Sequence, residues 1–469
     1  MIKELVDKKC KLLLVIVTIA LICTLIVFGI FMTKTAEPVT DKETNHLNAS
    51  AKEDIPNPDA SAKEDTPHPN APESLTHEGY TLEQVVVLSR HNIRSPLVGP
   101  DSVLSKITPH KWYKWSSPAS QLSVRGGTLE TSMGQYFRKW LESEKLFPEN
   151  YQPDEEAVRI YANAKQRTIA TAQFFTAGLL PTVNEDVEYH GEFDTMDPVF
   201  NPQLTYISDG YVKAAQEQIH KMYDDDIKDL ADNYELISDV LDMEESSGVK
   251  DGTIAPFRTD DTVVKLEMNK EPAMEGSLKT ACTVSDAITL QYYEESDPVK
   301  AAFGNSLSEE QWTEMADIKD IYNEVLFLAP LISYNVANPL LNEIYSEMNN
   351  KERQFTFLCG HDSNIGSVLS ALDAAEYHLP GAIEQKTPIG VKLVFSKWKS
   401  KNDELFWDVD LVYQTAQQLR DVEILTEDDN PASVDIDLSG LEQNNDSLYT
   451  DNDLKGRLKE AIEQYDKIK

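Results

Sequence analysis

Short apolar runs at both ends of the chain predict the strands of a buried sheet. Each run is bounded by polar or turn-forming residues, which favours strands over helices. The runs are Gln84–Leu88, Val158–Ala162, Gln354–Cys359, Val391–Trp398 and Leu405–Gln414. The turn Lys399–Asp403 joins the last two runs, so they are expected to form a β-hairpin.

Residues 203–335 change to a mostly helical pattern, with long stretches at Gly210–Leu241 and Ser285–Glu295. Strands lie on either side of these helices along the chain. The sequence therefore predicts an α/β fold whose core, residues 79–202 and 336–445, is interrupted by an α-helical insert.

The C-terminal stretch Asp453–Ile468 predicts one more helix. Apolar or aromatic residues recur every three or four positions, at Leu454, Leu458, Ile462 and Tyr465. Such spacing gives the helix one apolar face. We expect this face to pack on the core of a folded domain that spans residues 79–469.

An uncharged apolar run near the N-terminus predicts a membrane anchor. Leu12–Met32 has 21 residues, about 31 Å as a helix, which is enough to cross a bilayer core of about 30 Å. Lysines at positions 3, 8, 9 and 11 precede it, so residues 1–11 should be cytoplasmic and the rest extracytoplasmic. The alternative is a cleaved signal peptide, which would release a secreted domain, but its apolar region is usually only about 7–15 residues long. We expect a retained single-pass anchor in the cell membrane.

Residues 33–78 predict a disordered tether between the anchor and the folded domain. Ala49–Asp59 is nearly repeated by Ala60–Asn70, and both 11-residue segments are rich in proline and charge and lack aromatic residues. Such a composition buries too little apolar area to offset the entropy of an ordered chain.

The charge of the chain limits its partners. A formal net charge of -37 argues against nucleic acid, which needs a basic face, and against adhesion to anionic lipid. The membrane is therefore expected to be contacted through the N-terminal helix only, and the oligomeric state stays open. An acidic protein that handles an anionic substrate needs a locally cationic pocket, which makes clustered arginines informative.

The folded part contains only two cysteines, Cys282 and Cys359. Two cysteines are too few for a disulfide framework, and their spacing excludes a zinc site of the paired-cysteine kind. One bridge between them stays open as an alternative to the expected pair of buried free thiols.

The candidate chemistry begins where the first strand ends. Arg90, His91 and Arg94 follow directly on the apolar run Val85–Leu88. Guanidinium groups lower the pKa of a neighbouring imidazole and keep it neutral and nucleophilic. They also offer planar pairs of donors that fit phosphate oxygens. The pattern predicts attack of a histidine nitrogen on phosphorus, weighed against a chance histidine beside two surface arginines.

A second cluster follows the strand Val158–Ala162. Arg167 lies just beyond its end, next to Thr168, which is expected to cap a helix at Ile169–Gly178. Taken alone, Arg167 is most often a solvated surface arginine. Its place after a strand and near a helix start makes it a candidate anion ligand.

A third cluster follows the strand Gln354–Cys359. His361 and Asp362 precede an apolar helix at Ile365–Leu372. The alternatives are a core histidine and an ordinary helix-capping aspartate. Because open α/β sheets bind ligands beyond the carboxyl ends of their strands, three clusters at three such ends predict one shared site.

These residues carry a resemblance to a known family. Arg90–Pro96 matches the RHxxRxP signature of the histidine acid phosphatases, and Gly360–Asp362 matches their HD motif. The chain is most similar to the bacterial glucose-1-phosphatases of that family, which carry asparagine at the position of Asn92. Similarity continues in Tyr161–Phe175, Thr195–Pro202, Thr289–Glu294, His361–Ile365 and Thr387–Phe395. It spans about residues 79–445 and implies an α/β core with a central mixed sheet and a helical insert domain.

The resemblance implies a role for each candidate residue. His91 would attack phosphorus and form a phosphohistidine that water later hydrolyses. Asp362 would protonate the leaving oxygen from a partly protonated carboxyl, which gives an acidic optimum. Glu271 would border the substrate entrance. The phosphoryl oxygens would be held by Arg90, Arg94, Arg167 and His361.

The resemblance also implies the partner and the cofactors. The partner is a small-molecule phosphate monoester, such as glucose 1-phosphate or another sugar phosphate, with inositol hexakisphosphate as a further candidate. Neither a metal ion nor a cofactor is implied, because guanidinium groups supply the positive charge that magnesium supplies in kinases.

Four other functions are compatible with parts of the pattern. A phosphoglycerate-mutase-like transferase shares the RH motif but lacks the HD pair, and a kinase is disfavoured because the sequence has no GxxxxGK loop. A thiol phosphatase is disfavoured because neither cysteine has an arginine six residues later. The alternative of another class is a tethered protein that binds phosphorylated ligands without turnover, against which the intact His91 and Asp362 argue.

Overall fold

The structure, a computed structural model, describes residues 75–99, 102–154, 156–183, 186–426 and 429–469. The predicted anchor at Leu12–Met32, and the predicted tether up to residue 74, lie outside the described residues. Leu75, near the end of that tether, is already buried, and Nε2 of His77 lies 2.7 Å from a carboxylate oxygen of Asp408. Within the described ranges, no helix has the length and apolar character needed to cross a membrane.

Nine strands are described in chain order: β1 (Tyr80–Arg90), β2 (Val158–Ala162), β3 (Val263–Lys265), β4 (Ala273–Glu275), β5 (Phe355–Gly360), β6 (Lys392–Ser400), β7 (Leu405–Tyr413), β8 (Ala432–Asp435) and β9 (Tyr449–Thr450). The main sheet has seven strands in the order β2-β5-β1-β6-β7-β8, with β9 paired to β7. β5 runs parallel to both β1 and β2, whereas β6 and β7 are antiparallel to their neighbours. The sheet is therefore mixed, as expected, and all five predicted strands are confirmed.

β1 lies inside the sheet and is buried on both faces. Val86 and Leu88 pack into one hydrophobic cluster, and Val85 and Val87 pack into another. Alternating side chains of a strand point to opposite faces, so helices that cover both faces demand apolar residues at every position. This explains why the sequence shows a continuous apolar run here.

The part of the chain that the structure describes also contains thirteen helices: α1 (Val124–Ser143), α2 (Gln166–Leu179), α3 (Asp209–Asp229), α4 (Ala231–Val240), α5 (Ser247–Lys250), α6 (Ser277–Glu294), α7 (Pro298–Ala301), α8 (Glu309–Asn323), α9 (Pro330–Val336), α10 (Asn338–Asn349), α11 (Asp362–Ala371), α12 (Ala416–Asp421) and α13 (Asp451–Lys467). Short 3₁₀ turns occupy Val103–Ser105 and Met243–Glu245. A π-helical turn, Glu324–Leu328, continues α8.

The region between β2 and β5 is mainly helical, but three of its features differ from the sequence-based expectation. The stretch Gly210–Leu241 is two helices, α3 and α4, divided at Leu230. α6 begins before Ser285, because the carboxylate of Asp261 accepts the backbone N–H of Ser277 at 2.9 Å and caps the helix there. The hairpin β3-β4 was not expected, since its short, largely exposed strands give no apolar run.

The C-terminal helix α13 packs on the core, and this prediction is confirmed. Leu454, Leu458 and Ala461 on one face are buried, and the guanidinium of Arg457 donates to the carbonyl of Leu372 at 2.7 Å. The helix is thus tied to α11, which begins at the candidate site.

Candidate active site

Three strand ends meet at one edge of the sheet. β1 and β2 flank β5 and run parallel to it, so the residues that follow these strands lie side by side. They surround a cavity of about 320 Å³, whose wall includes His91, Arg94, Arg167, His361 and Asp362. The imidazole rings of His91 and His361 lie 5.4 Å apart between their centroids. The three clusters therefore form one site.

His91 is held as a neutral base with one nitrogen free. Its ring is buried, and its Nδ1 lies 2.9 Å from the backbone carbonyl of Asn92. A carbonyl oxygen can only accept, so Nδ1 carries the proton and Nε2 keeps its lone pair. Burial, followed by the positive charges of Arg167 and Arg94, holds the pKa of His91 well below its usual range. The side chain of Asn92 is itself fixed, because it donates to Glu130 at 2.8 Å.

Two of the arginines are anchored by buried carboxylates. Arg94 makes a bidentate pair with Asp286, with both N–O distances at 3.0 Å. Arg90 donates to Glu384 at 2.7 Å and to the carbonyl of Thr387. Burial disfavours the charged form of Arg90, but Glu384 and Asp362 outweigh it and raise the pKa of this guanidinium. The guanidinium groups of Arg94 and Arg90 are thus oriented by contacts within the protein itself.

The third arginine begins a helix, although not at the predicted residue. α2 starts at Gln166 with Lys165 in the capping position, so the prediction of Thr168 as the cap is wrong. The hydroxyl of Thr168 donates instead to the carbonyl of Asn163 at 2.6 Å. Arg167 therefore lies in the first turn of α2, where free backbone N–H groups add to its attraction for anions.

Arg167 and His361 present two donors to the same place. The side-chain oxygen of Asn163 accepts the backbone N–H of Asp197 at 2.8 Å, so its amide nitrogen faces Nε2 of His361 at 2.7 Å. Nε2 is then the acceptor, and Nδ1 of the neutral ring carries the proton. Nδ1 lies 3.4 Å from a guanidinium nitrogen of Arg167. Both nitrogens are donors and cannot hydrogen-bond to each other. An anionic oxygen placed between them can accept a hydrogen bond from each.

Asp362 is the first residue of α11, after His361 as the N-cap. Its Oδ2 lies 3.0 Å from Nζ of Lys319 and 3.6 Å from a nitrogen of Arg90. Burial favours protonation of this carboxyl, but the two cations outweigh it and hold its pKa well below the usual range. The expectation of a partly protonated Asp362 is therefore wrong, because no local sequence pattern indicates that Lys319 lies beside this carboxyl.

A comparison with protein families decides the identity of this arrangement. The family model of the histidine phosphatase superfamily (branch 2) matches residues 81–414. The chain belongs to this family. The expected resemblance is thus confirmed.

Curated relatives and solved structures agree with this assignment. The glucose-1-phosphatase of Providencia rettgeri is 38% identical over 391 residues, which are 82% of this chain and 92% of that protein. The glucose-1-phosphatase of Salmonella typhimurium is 37% identical over 369 residues, which are 78% of this chain and 89% of that protein. The apo structure of Hafnia alvei phytase superposes with a TM-score of 0.75 at 26% identity, over 83% of this chain and 99% of that one. Citrobacter braakii phytase gives a TM-score of 0.73 at 26% identity, over 82% and 98% of the two chains.

Six of the seven predicted site residues of this histidine phosphatase line the cavity. The exception is Arg90, which is 1% exposed and stands one layer back, between Glu384 and Asp362. Glu271 lies at the exposed rim of the cavity. The structure therefore brings all seven predicted residues together. Five line the cavity wall, Arg90 lies behind that wall, and Glu271 lies at the rim.

Three charged residues of the site were missed by sequence reasoning. Lys319 and Asp286 line the cavity from helices α8 and α6, and Glu384 lies behind Arg90. Glu384 is buried, yet Arg90 and Lys319 lower its pKa to about 2. Asp286 had a weak signal, since it is a charged residue on the buried face of a predicted helix.

Both cysteines are buried free thiols, as expected. Cys282 lines the cavity, but burial and then Asp286 raise the pKa of its thiol, which is the opposite of what a nucleophilic cysteine needs. Among the described residues, no group of three or more histidine, cysteine, aspartate or glutamate side chains is arranged to hold a metal ion.

Proposed function

We propose that this histidine phosphatase is an acid phosphatase that hydrolyses phosphate monoesters, above all glucose 1-phosphate and other sugar phosphates, through a phosphohistidine and without a metal ion. One observation carries the proposal. His91 is a buried, neutral imidazole with Nε2 free, in the same cavity wall as the guanidinium groups of Arg94 and Arg167.

In the first step, the lone pair of Nε2 of His91 attacks phosphorus and the bond from phosphorus to the ester oxygen breaks. Arg94, Arg167 and the Nδ1–H of His361 hold the non-bridging oxygens, which carry the negative charge throughout the transfer. The leaving oxygen takes a proton from Asp362 and departs as a neutral alcohol.

The proton on Asp362 comes with the substrate. A phosphate monoester has a second pKa of about 6, so at acid pH it binds as a monoanion that still carries one proton. The bound negative charge offsets Lys319 and Arg90, which removes the reason for Asp362 to stay ionised. An acidic optimum then follows from the ionisation of the ester and needs no unusually basic carboxyl.

In the second step, water attacks the phosphohistidine. The Asp362 carboxylate, left by the first step, accepts a proton from this water as the bond between phosphorus and Nε2 breaks. Inorganic phosphate leaves, His91 is again neutral, and Asp362 can return its proton to the departing phosphate.

The relatives indicate the class of alcohol. Two curated relatives are named glucose-1-phosphatase, and the Hafnia alvei phytase has been solved with myo-inositol hexakis sulphate and with tartrate. The identity to the glucose-1-phosphatases is the higher, which favours a sugar monophosphate as the preferred substrate over inositol hexakisphosphate.

The test is hydrolysis by the full chain in detergent at acid pH with EDTA present. Glucose 1-phosphate and p-nitrophenyl phosphate should both release phosphate, and His91→Ala should abolish release while the fold is retained. Rapid quench with ³²P-labelled substrate should place an acid-labile, base-stable label on His91. A protein that binds phosphate but never releases it from an ester would instead be a non-catalytic phospho-ligand receptor, and the proposal would fail.

Asp362 is tested separately through the leaving group. In Asp362→Ala, glucose 1-phosphate should slow by about 10²–10⁴-fold, the usual contribution of a general acid, whereas p-nitrophenyl phosphate, whose leaving group needs no proton, should slow far less. Equal losses for both esters would mean that Asp362 acts only as the first residue of α11.

We propose further that Leu12–Met32 is retained as an anchor, with the catalytic domain on the extracytoplasmic side. The support is the 21-residue uncharged run preceded by lysines. The full chain should then stay in the membrane pellet after carbonate washing, and Ile22→Arg should weaken that retention. Recovery of a shortened chain in the medium would indicate cleavage and a secreted enzyme.

A further inference from the structure

Lys319 connects two carboxylates of the site, and the steps above use it only as one of two cations whose charge the bound phosphate offsets. Its Nζ lies 3.0 Å from Oδ2 of Asp362 and 3.1 Å from Oε1 of Glu384. Its side chain is only 7% exposed and lines the cavity. Burying an ammonium group is unfavourable unless it is paired, so these two contacts explain why a lysine is tolerated at this position.

The contacts close a ring of alternating charge. Oε1 of Glu384 accepts from Arg90 at 2.7 Å as well as from Lys319, and both cations approach the same oxygen of Asp362. Each of the four groups therefore has two neighbours of opposite charge. Such a ring fixes the position of the Asp362 carboxylate. One of the two cations that hold it, Lys319, comes from helix α8 of the helical insert.

We propose that Lys319 is a positioning residue for the leaving-group step: its ammonium fixes the Asp362 carboxylate and delays the protonation of that group until phosphate has entered the cavity. The inference rests on the proposed function, because it takes Asp362 as the acid for the leaving oxygen. It adds a control on when that acid becomes available.

The surroundings of Asp362 show why Lys319 is the deciding neighbour. The titratable and charged groups that face it are Arg90, His91, Arg167, Glu271, Cys282, Lys319, Tyr322 and His361. Both histidines are neutral, and burial raises the pKa of the thiol and of the phenol, so these four carry no charge. The rim carboxylate of Glu271 opposes the cations. Of the cations, Lys319 is nearest, at 3.0 Å against 3.6 Å for Arg90.

The role predicts a dependence on both pH and leaving group. A sugar alcohol leaves well only when Asp362 can protonate it, whereas p-nitrophenolate leaves without a proton. Removal of a cation from beside a carboxyl raises the pKa of that carboxyl, typically by about one to three units. Loss of Lys319 should therefore extend the protonated state of Asp362 in the enzyme–substrate complex to higher pH.

The experiment compares kcat against pH for the full chain and Lys319→Met, with glucose 1-phosphate and p-nitrophenyl phosphate at saturation. For glucose 1-phosphate, the alkaline limb of the variant should move up by about one to three pH units, while the limb for p-nitrophenyl phosphate stays in place. Lys319→Arg should keep the original limb. The matched control is Lys386→Met, which breaks a pair with Glu324 at 3.0 Å outside the cavity and should move neither profile.

Two results would overturn the proposal. One is an equal loss of kcat with both esters at every pH, which would mean that Lys319 only supports packing. The other is a limb shift that persists in the Asp362→Asn background, where no acid remains to be controlled. If Lys319→Met does not fold, as judged by thermal unfolding, Lys319→Gln is measured in its place. A wild-type chain without any phosphatase activity would reject the proposed function, which is a separate outcome.

Discussion

Glu130 and Lys392 form an ion pair of 2.8 Å in which both side chains are 0% exposed. The pair does not contact the cavity, but the other oxygen of Glu130 accepts the side-chain amide of Asn92. The carbonyl of Asn92 in turn accepts the Nδ1 proton of His91. A buried ion pair thus holds the residue whose carbonyl sets the tautomer of His91.

The first prediction concerns this pair. Glu130→Gln should lower the free energy of unfolding by about 3–5 kcal/mol, because it leaves the buried ammonium of Lys392 without a counter-charge. Adding Lys392→Met should recover much of this loss, since apolar replacement of a buried pair is often neutral. Urea denaturation measures both. Both the single and the double variant should have a lower kcat than the wild type, because in both the side chain of Asn92 has lost its charged acceptor.

The control for this prediction is Glu217→Gln, which breaks an exposed pair with Lys213 on α3. Exposed pairs contribute about 0–1 kcal/mol. If Glu130→Gln lowered the free energy of unfolding no more than this control does, the buried pair would not stabilise the fold.

The second prediction concerns the orientation of His361. Asn163→Asp keeps the oxygen that accepts the N–H of Asp197 but replaces the amide donor facing Nε2 by an acceptor. The proton of the imidazole should then move to Nε2, and a phosphate oxygen would lose one of its donors. Misplaced groups of this kind typically cost about 10²-fold in rate. ¹⁵N NMR of the ring, alongside kcat/KM, measures both effects, and an unchanged tautomer would contradict the assignment.

The third prediction concerns Arg167, whose charge has no carboxylate partner within 4 Å among the described residues. Burial, and then Arg94, lower the pKa of this guanidinium to about 10, so keeping Arg167 charged costs stability. Arg167→Gln should therefore be at least as stable as the wild type without ligand. Inorganic phosphate at 100 times Kd should stabilise the wild type by about 2.7 kcal/mol and so raise its Tm. The Tm of the variant should rise much less. A phosphate response that survives intact in the variant would exclude Arg167 from the binding site.

The fourth prediction is the pH dependence of stability. The pKa values of His91 and His361 both lie well below 6.5 in the folded chain, chiefly because of burial and then Arg167. Below pH 6.5 the unfolded chain therefore binds protons that the folded chain does not, so stability is fully present above that pH and falls as pH decreases. Each histidine contributes a slope of up to about 1.4 kcal/mol per pH unit.

Glu384 extends the loss to lower pH. Its pKa of about 2 against 4.5 has the same sign, so its contribution disappears as pH falls from about 4.5 towards 2. Urea unfolding between pH 7 and 4.5 should show a shallower slope in His361→Asn than in the wild type. His220→Asn, at an exposed position of α3, should leave the slope unchanged. A slope that is the same in all three proteins would mean that His361 is not held neutral.

The strands and the motif residues were predictable because their signals are local. A strand buried on both faces, such as β1, must be apolar throughout, and the parallel pairing of β1, β2 and β5 then places the residues after them at one edge. Helix starts were less predictable. Threonine is a residue type that often caps helices, but this helix begins three residues earlier than predicted, at Gln166, whose backbone N–H donates to Asp194.

The counter-charges were not predictable because they come from distant parts of the chain. Arg94 and Asp286 are 192 residues apart, and Lys319 belongs to an amphipathic helix of the insert. A polar residue on such a helix has the same sequence signal whether it faces solvent or a cavity. The ionised state of Asp362 follows from Lys319, so it could not be predicted from the HD motif alone.

The strand order has a consequence for biosynthesis. β5 lies between β1 and β2 in the sheet but is translated only after the whole region between β2 and β5, and such long-range pairing is slow to form. A chain still on the ribosome that has not reached β5 contains the proposed nucleophile His91 without His361 or Asp362. We therefore expect phosphatase activity only after β5 has been synthesised and inserted between β1 and β2.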